Sequence, residues 1–467
     1  MPHILLILAV SSSTFQGVWG GSQNDFAYDL TTTPTGFLLA GRTDSWAGSS
    51  SDAWLVSVDA GGDTLWSRRY GGYGPDWAYS IIPVSTGGYL VTGRYGSTTS
   101  GDLDGWLIRI DAQGDTLWSR SYGGTGSQTF FSSIESPDGG FISTGLMAGT
   151  GFDLWVLGVD SAGGFLWQTI LGGSADDCGY GIAPGPDGFV VAGQTLSYGA
   201  GDGDLWLIGF DWDGDSLASE IIGGASFDYP WCIIAMPSGG YAVSSTSRSY
   251  GAGSYDFWIT RLGSDLGLQW AEAYGYKDDD WCYNCSPAGD GLVVTGMRNV
   301  GGHEAWLLNL DASGDTLWTR TYETPGLMNR GLGVVQAPDG GFALCGGLAD
   351  STDEDFWLVK TDPDGFCPET GIGDEEGSPS MQAFAMTPNP AHGSFSISIP
   401  GHDGSPLPLE IYDAAGRLVA SVDTPQGPPG ATGVVSPGSA RHLPAGVYIV
   451  RLPTLDCPPS KLVILGD

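Results

Sequence analysis

The residues in this chain best placed to do chemistry are carboxylates, and they return in two series. One stands two positions before a tryptophan: Asp52/Trp54, Asp104/Trp106, Asp153/Trp155, Asp204/Trp206, Asp256/Trp258, Glu304/Trp306 and Asp355/Trp357. The other follows a Gly-Gly-like turn by four residues, with one slip at its end: Asp25, Asp76, Gln128, Asp177, Asp228, Asp280 and Asn329. A ring of the second series at a channel mouth would suit a cation such as Ca2+ or the hydroxyls of a sugar. The competing reading is a repeated cap at the start of a strand, because Asp and Asn accept nearby backbone amides. The first series is read as fixing a loop, its carboxylates accepting the amides of the Gly-Gly turn. Aromatic residues follow the second series: Phe26, Tyr28, Trp77, Tyr79, Phe131, Tyr180, Tyr229, Trp231, Trp281 and Tyr283. Rings beside carboxylates are what carbohydrate sites use, although packing accounts for most of these.

Other motifs fail on inspection. Asp211 to Asp215 (DWDGD) makes half of a calcium loop but lacks the later bidentate Glu. GAGDGD at 199–204 has no helix after it to hold a phosphate. His303 is the one histidine between residues 14 and 365, so neither a His-rich metal site nor a Ser–His triad is expected there. Cys282 and Cys285 form a C-x-x-C. In an extended strand an offset of three puts the two side chains on opposite faces, so they are read as buried small hydrophobes. Carboxylate pairs abound, which leaves an acid/base pair of the glycosidase type open without singling one out. The catalytic assignment is therefore none.

These residues need elements to position them, and the repeat supplies the elements. The acid-x-Trp pairs recur every 48 to 52 residues through seven units. DAGGDTLWSRRYGG at 59–72 nearly repeats as DAQGDTLWSRSYGG at 111–124, and DASGDTLWTRTY follows at 311–322. A string that returns at such a period is a structural brick. In the second unit, strands are predicted at 77–84, 89–94, 105–111 and 116–124, from apolar alternation broken by Gly and Asp turns. Four-stranded units repeated radially make a β-propeller. The seventh unit holds three strands, and a spare fourth strand, TFQGVWGG, stands at 14–21. Pairing the two would close the ring and remove two open sheet edges. Within each brick Asp and Gly make the turn, and Trp118 is expected to pack between blades. The D-x-x-G-x-x-x-W spacing resembles the blade repeat of quinoprotein-like propellers, without the further residues their cofactor sites need.

Composition narrows the partners. The formal charge is −36, with 17 Lys and Arg against 53 Asp and Glu. Nucleic acid and anionic lipid are excluded as partners on that balance. No apolar run is long enough to span a bilayer. Residues 1–13 (MPHILLILAVSSS) read like a signal-peptide leader without a basic start. Seven cysteines form no even framework, and Cys367 and Cys457 are candidates to pair in an exported protein.

Beyond the seven units the style changes. Residues 366–383 form a Gly-, Pro- and acid-rich linker. From 384 to 467 the Trp repeat is gone, and short alternating strands suggest a small immunoglobulin-like β-sandwich. PNPAHGSFSISI (388–399), LEIYDAAGRLV (409–419), LPAGVYIVRL (443–452) and KLVIL (461–465) resemble the type A C-terminal sorting domain of the type IX secretion system. The flagellar-hook-cap immunoglobulin-like domain shares two of these elements. The sorting resemblance implies export through the outer-membrane type IX machinery to the exterior or cell surface, often with cleavage of this domain. GPPG at 427–430 and Cys457-Pro-Pro depart from the compact pattern.

The expected architecture is thus all-β: a seven-bladed propeller at 14–365, then the sandwich at 384–467. The expected function is non-catalytic binding of a glycan or protein on the loop face. An extracellular polysaccharide lyase or hydrolase and a structural surface-layer component are the alternatives. Gln128, Lys277 and Arg330 break the repeat near the channel, and their convergence would mark a specific site.

Overall fold

The computed structural model describes residues 14–46, 50–96, 102–149, 151–299, 302–324, 327–349 and 353–367, together with seven short strands beyond 384. The leader at 1–13, nearly all of the linker and Cys457 lie outside the described residues. The chain divides into two units, 1–370 and 371–467.

The first unit is a seven-bladed β-propeller. Six blades are consecutive antiparallel four-stranded sheets, and the seventh takes its outermost strand from the chain start. Phe15–Trp19 pairs antiparallel with Glu354–Lys360, Phe15 opposite Lys360 and Trp19 opposite Phe356. The innermost strands are Asp25–Thr32, Trp77–Pro83, Gln128–Glu135, Asp177–Pro184, Asp228–Ala235, Trp281–Ala288 and Met328–Gln336. Each contacts the innermost strand of the next blade, and the seventh returns to the first. Among the described residues there is no helix.

The brick works as an inter-blade joint. Asp111 Oδ1 accepts the amides of Gln113 and Asp115 at 2.9 and 2.8 Å, closing the turn between third and fourth strands. Gly114 takes φ +80° there, and a Cβ on it would lie 2.9 Å from Trp66 of the preceding blade. Trp118 sits in the same way on Gly163, and Phe15 on Gly62 across the closure. Blade four lacks the tryptophan and has Ala218 instead, and the facing turn in blade five carries Leu266 in place of glycine. Leu266 keeps the positive φ, +65°, and its side chain is buried in the apolar cluster that also holds Leu207 and Leu262. It fills the space the missing indole leaves.

The second unit contains two antiparallel sheets. Ala385–Thr387, Phe395–Ser398 and Gly433–Val435 form one. Leu418–Asp423, Pro408–Asp413, Gly446–Arg451 and Ser460–Ile464 form the other, in that order.

Candidate functional site

The Gly-Gly turns and the long loops after the second strands do share one end of the propeller, and the polar series ties them together. Asp25 Oδ2 accepts the Gly21 amide at 2.9 Å and the Ser45 hydroxyl at 2.8 Å. Asp177 repeats this with Gly173 and Ser197, at 2.8 and 2.7 Å. Asp228 takes Gly224 and Ser247, and Asp76 takes the amides of Gly72 and Gly96. Asp280 accepts from Tyr276 and Asn299, Gln128 accepts from Gly124, and Asn329 donates to Thr324. All seven are buried. Burial pushes Asp76 and Asp280 up to about 6 against the pull of their amide donors.

The first acidic series differs from expectation. The turn amides go to the inner-strand residue, and Asp104, Asp153, Asp204, Asp256 and Asp355 pack on the first glycine instead, while Asp52 and Glu304 pair with Arg69 and Arg298. A Cβ on Gly123 would come within 2.1 Å of Asp104 Oδ1, and one on Gly223 within 1.8 Å of Asp204 Oδ1. The carboxylate and the missing Cβ occupy one place, which is why both recur together. Asp204 and Asp256 direct a second oxygen to amides of their own loops, at Ala200 and Gly253.

The aromatic residues form a feature that alternation alone does not show. Every inner strand carries a bulge, and the residue skipped in the register is Tyr28, Tyr79, Phe131, Tyr180, Trp231, Tyr283 or Leu332. A bulge re-aims the side chain of its extra residue. Here the re-aimed rings touch in succession around the axis. Tyr28–Tyr79, Tyr79–Phe131, Phe131–Tyr180, Tyr180–Trp231 and Trp231–Tyr283 have centroid separations of 5.1 to 5.6 Å. The six rings make a girdle inside the ring of inner strands, each of them half-buried. Burial raises the phenols of Tyr79 and Tyr283 to about 12, so they remain neutral donors.

One sector of the girdle departs from the repeat. Arg42 and Arg94 lie on the second strands of blades one and two, opposite Phe26 and Trp77 in register. Their guanidinium carbons stand 4.0 and 3.5 Å from the Trp77 ring, and Arg42 is also 4.6 Å from Phe26. Trp77 is further held by its indole N–H, which donates to Ser51 Oγ at 2.6 Å. Arg330, on the inner strand of blade seven, meets Glu354 at 3.2 Å. The fields of Arg42 and Arg94 reach Tyr28 and Tyr79, and those of Arg330 and Glu354 reach Tyr283. Arg42 Nε, Arg94 Nε, Arg330 Nε, Glu354 Oε1, Asp25 Oδ1 and Asn329 Oδ1 are buried there without a protein hydrogen-bond partner. Gln128 and Lys277, in blade three and at the start of blade six, make no described contact with Arg330 or with each other. Arg42 and Arg94 meet on Trp77, and the fields of Arg42 and Arg330 both reach Glu354.

Asp29 is a second departure. It follows the bulge at Tyr28 and accepts the amides of Leu30 and, across the blade boundary, Ile81, both at 2.9 Å. Burial raises its carboxyl to about 6.

The cysteines correct an expectation. Cys282 and Cys285 lie in one apolar cluster, not on opposite faces, and Cys232 packs against it. The bulge at Tyr283 adds a residue between them, so an offset of three acts as an offset of two. Cys232 Sγ lies 3.7 Å from the Cys285 carbonyl oxygen. Among the described residues there is no disulfide, and no group of three or more His, Cys, Asp or Glu is placed to hold a metal ion.

At the opposite end of the blades a pocket of about 400 Å³ is lined by Ser238, Gly239, Gly240, Arg261, Gly263 and Gln269. Its cation is committed: Arg261 donates to the carbonyls of Tyr241, Leu262 and Gly239. Arg109 does the same in blade two, so this arrangement belongs to the turns.

No family model and no curated protein matches the chain. Solved structures that resemble it include the periplasmic gluconolactonase of Pseudomonas aeruginosa, at 12% identity and a TM-score of 0.48, covering 85% of this chain and 98% of that one. Sqt1 of Chaetomium thermophilum gives 11% and 0.42, covering 82% and 97%. The apocarotenoid oxygenase of Synechocystis, as a Glu150Gln variant, gives 10% and 0.43, covering 89% and 98%. Likeness at this level carries no function to this chain.

Proposed function

We propose that this chain is a secreted or cell-surface binding module that holds a glycan at the loop-side mouth of the propeller. The observation that carries the reading is the girdle of six half-buried rings, reached through a sector where arginines replace the uncharged residues of other blades. Aromatic faces with a few fixed polar groups are the usual means of holding a saccharide. The buried inner-strand ring stiffens the loops behind that mouth, and any calcium it takes would act through those loops. The C-terminal unit is proposed as an immunoglobulin-like sandwich that delivers the protein through the outer-membrane type IX machinery, on the order of its four motifs.

A catalytic reading has one observation in its favour. Burial raises the Asp29 carboxyl to about 6, and the residue follows Tyr28 of the girdle, where an acid of a lyase or hydrolase could stand. The test is a screen of the full chain against polysaccharides and surface proteins, with calcium and with chelator, with product release read in the same wells. Binding without turnover supports the module. Turnover abolished by Asp29→Asn replaces it with the enzyme, and silence in every well replaces it with a structural surface role.

A further inference from the structure

The arginine sector allows the ligand class to be narrowed, on the footing that the propeller binds a saccharide at all. The chain has about three acids for every base, yet Arg42 and Arg94 meet on Trp77, and Arg42 and Arg330 both act on Glu354. The first two lie over the Trp77 ring, their guanidinium carbons 4.0 and 3.5 Å from its centroid. Arg94 has no ion pair among the described residues, Arg42 reaches Asp44 only at 3.8 Å, and Arg330 shares Glu354. None of the three residues is fully buried, and the Arg42 and Arg330 side chains are 17% and 32% exposed. A guanidinium stacked on an indole has its face covered and its edge free. That edge is a planar fork of N–H donors that matches a carboxylate. Stacking also fixes the fork in advance, so less rotamer freedom is lost on binding. Beside the fork, Tyr28 and Tyr79 offer ring faces 5.3 Å apart, centroid to centroid, and neutral hydroxyls.

We infer that the Arg42–Trp77–Arg94 clasp is a carboxylate subsite and that the ligand is a short glycan bearing a uronic-acid residue. The carboxylate meets the arginine edges, and the apolar face of the sugar ring lies on Tyr28 and Tyr79. A formal charge of −36 opposes the approach of long polyanions, so the fit is to a short saccharide with few carboxylates.

The test is calorimetric titration of the full chain with di- to tetrasaccharides of glucuronate or galacturonate. The carboxyl-reduced neutral sugars, a sulfated disaccharide and inorganic phosphate are titrated in parallel, at low and high salt. The acidic saccharide is expected to bind at least about tenfold tighter than its neutral counterpart, an advantage that shrinks with salt. Arg94→Gln should remove most of that advantage, so that the variant binds the acidic and the neutral saccharide with nearly equal affinity. Arg94→Lys, which keeps the charge but not the fork, should retain part of it. Arg68→Gln on the outer rim should change nothing, and melting curves confirm that each variant is folded. Equal binding of acidic and neutral sugars, or tighter binding of sulfate or phosphate, overturns the carboxylate subsite while the binding module stands. Absence of binding to every saccharide overturns both.

Discussion

The outer joints of the propeller and its inner mouth are cut from the same repeat, but they depart from it in opposite ways. At the rim, blade four loses its tryptophan and has a compensating change: Ala218 faces Leu266, where five blades pair an indole with a glycine and the seventh pairs Phe15 with Gly62. Lost volume on one side is regained on the other, and the joint survives. At the mouth, Arg42, Arg94 and Arg330 replace uncharged residues of the other blades and leave buried Nε atoms without protein partners. A departure that restores packing speaks of stability. A departure that costs packing and leaves polar atoms unanswered marks a place where something else is meant to bind.

The largest effect should come from breaking the rim at its closure. Deleting residues 14–21 removes the Phe15–Trp19 strand, the Phe15 contact on Gly62 and the Trp19 indole bond to Thr64 Oγ1 at 2.8 Å. It also bares the Glu354–Lys360 edge. The expected loss is on the order of 5 kcal/mol, lowering Tm by about 10 °C. A thermal melt that matched the intact chain would contradict the closed ring.

Next comes an ordinary joint. Trp118→Ala removes a half-buried indole from Gly163 and Phe141, whose ring centroid is 6.0 Å away. A fully buried tryptophan is worth more, so the expected cost here is about 2–3 kcal/mol by denaturant titration. The exceptional joint sharpens the comparison. Ala218→Trp alone should clash with Leu266, and Leu266→Gly alone should leave a void, each costing about 1–3 kcal/mol. Together they rebuild the common pair and release a leucine from φ +65°, so the double variant should be at least as stable as the parent. A coupling energy below about 0.5 kcal/mol would show that the two positions are not a joint.

The rim is also the part of the molecule that its sequence spells out most fully. Seven units, four strands each, the Asp111-type turn and the borrowed closing strand all follow from spacing and alternation, because repeat and period are local signals. The mouth is less legible, for two physical reasons. The bulges at Tyr28, Tyr79 and their counterparts shift the strand phase by one residue, and only the pairing register reveals that shift. The same shift brings Cys282 and Cys285 into one cluster. The clasp joins residues 42, 77 and 94 across a blade boundary, with no motif linking them. A signal is present nonetheless: an arginine inside apolar second strands, LLAGRT and YLVTGR, in a chain so poor in bases. For the inner-strand polar ring, spacing shows where the residues recur but not which amide each one holds.

The smallest effect concerns that ring and depends on pH. Asp76 and Asp280 titrate near 6 in the folded protein, above their ordinary range, because burial penalises the charged carboxylate more than the loop amides favour it. Between the unfolded and folded values the native state holds more protons than the unfolded chain, so stability falls as pH rises through that window. Acidifying from about pH 7 to pH 5 should therefore stabilise the propeller, by about 1 kcal/mol for each such group. Asp280→Asn keeps an acceptor for the Tyr276 amide and removes the titration, and blade seven already carries Asn329 at this position. Chemical melts of parent and variant at both pH values isolate the contribution of Asp280. The parent should gain more on acidification than the variant does. If the two gain equally, the carboxylate of Asp280 is already protonated at neutral pH or shielded by water, and its bond to the loop does not govern the pH response.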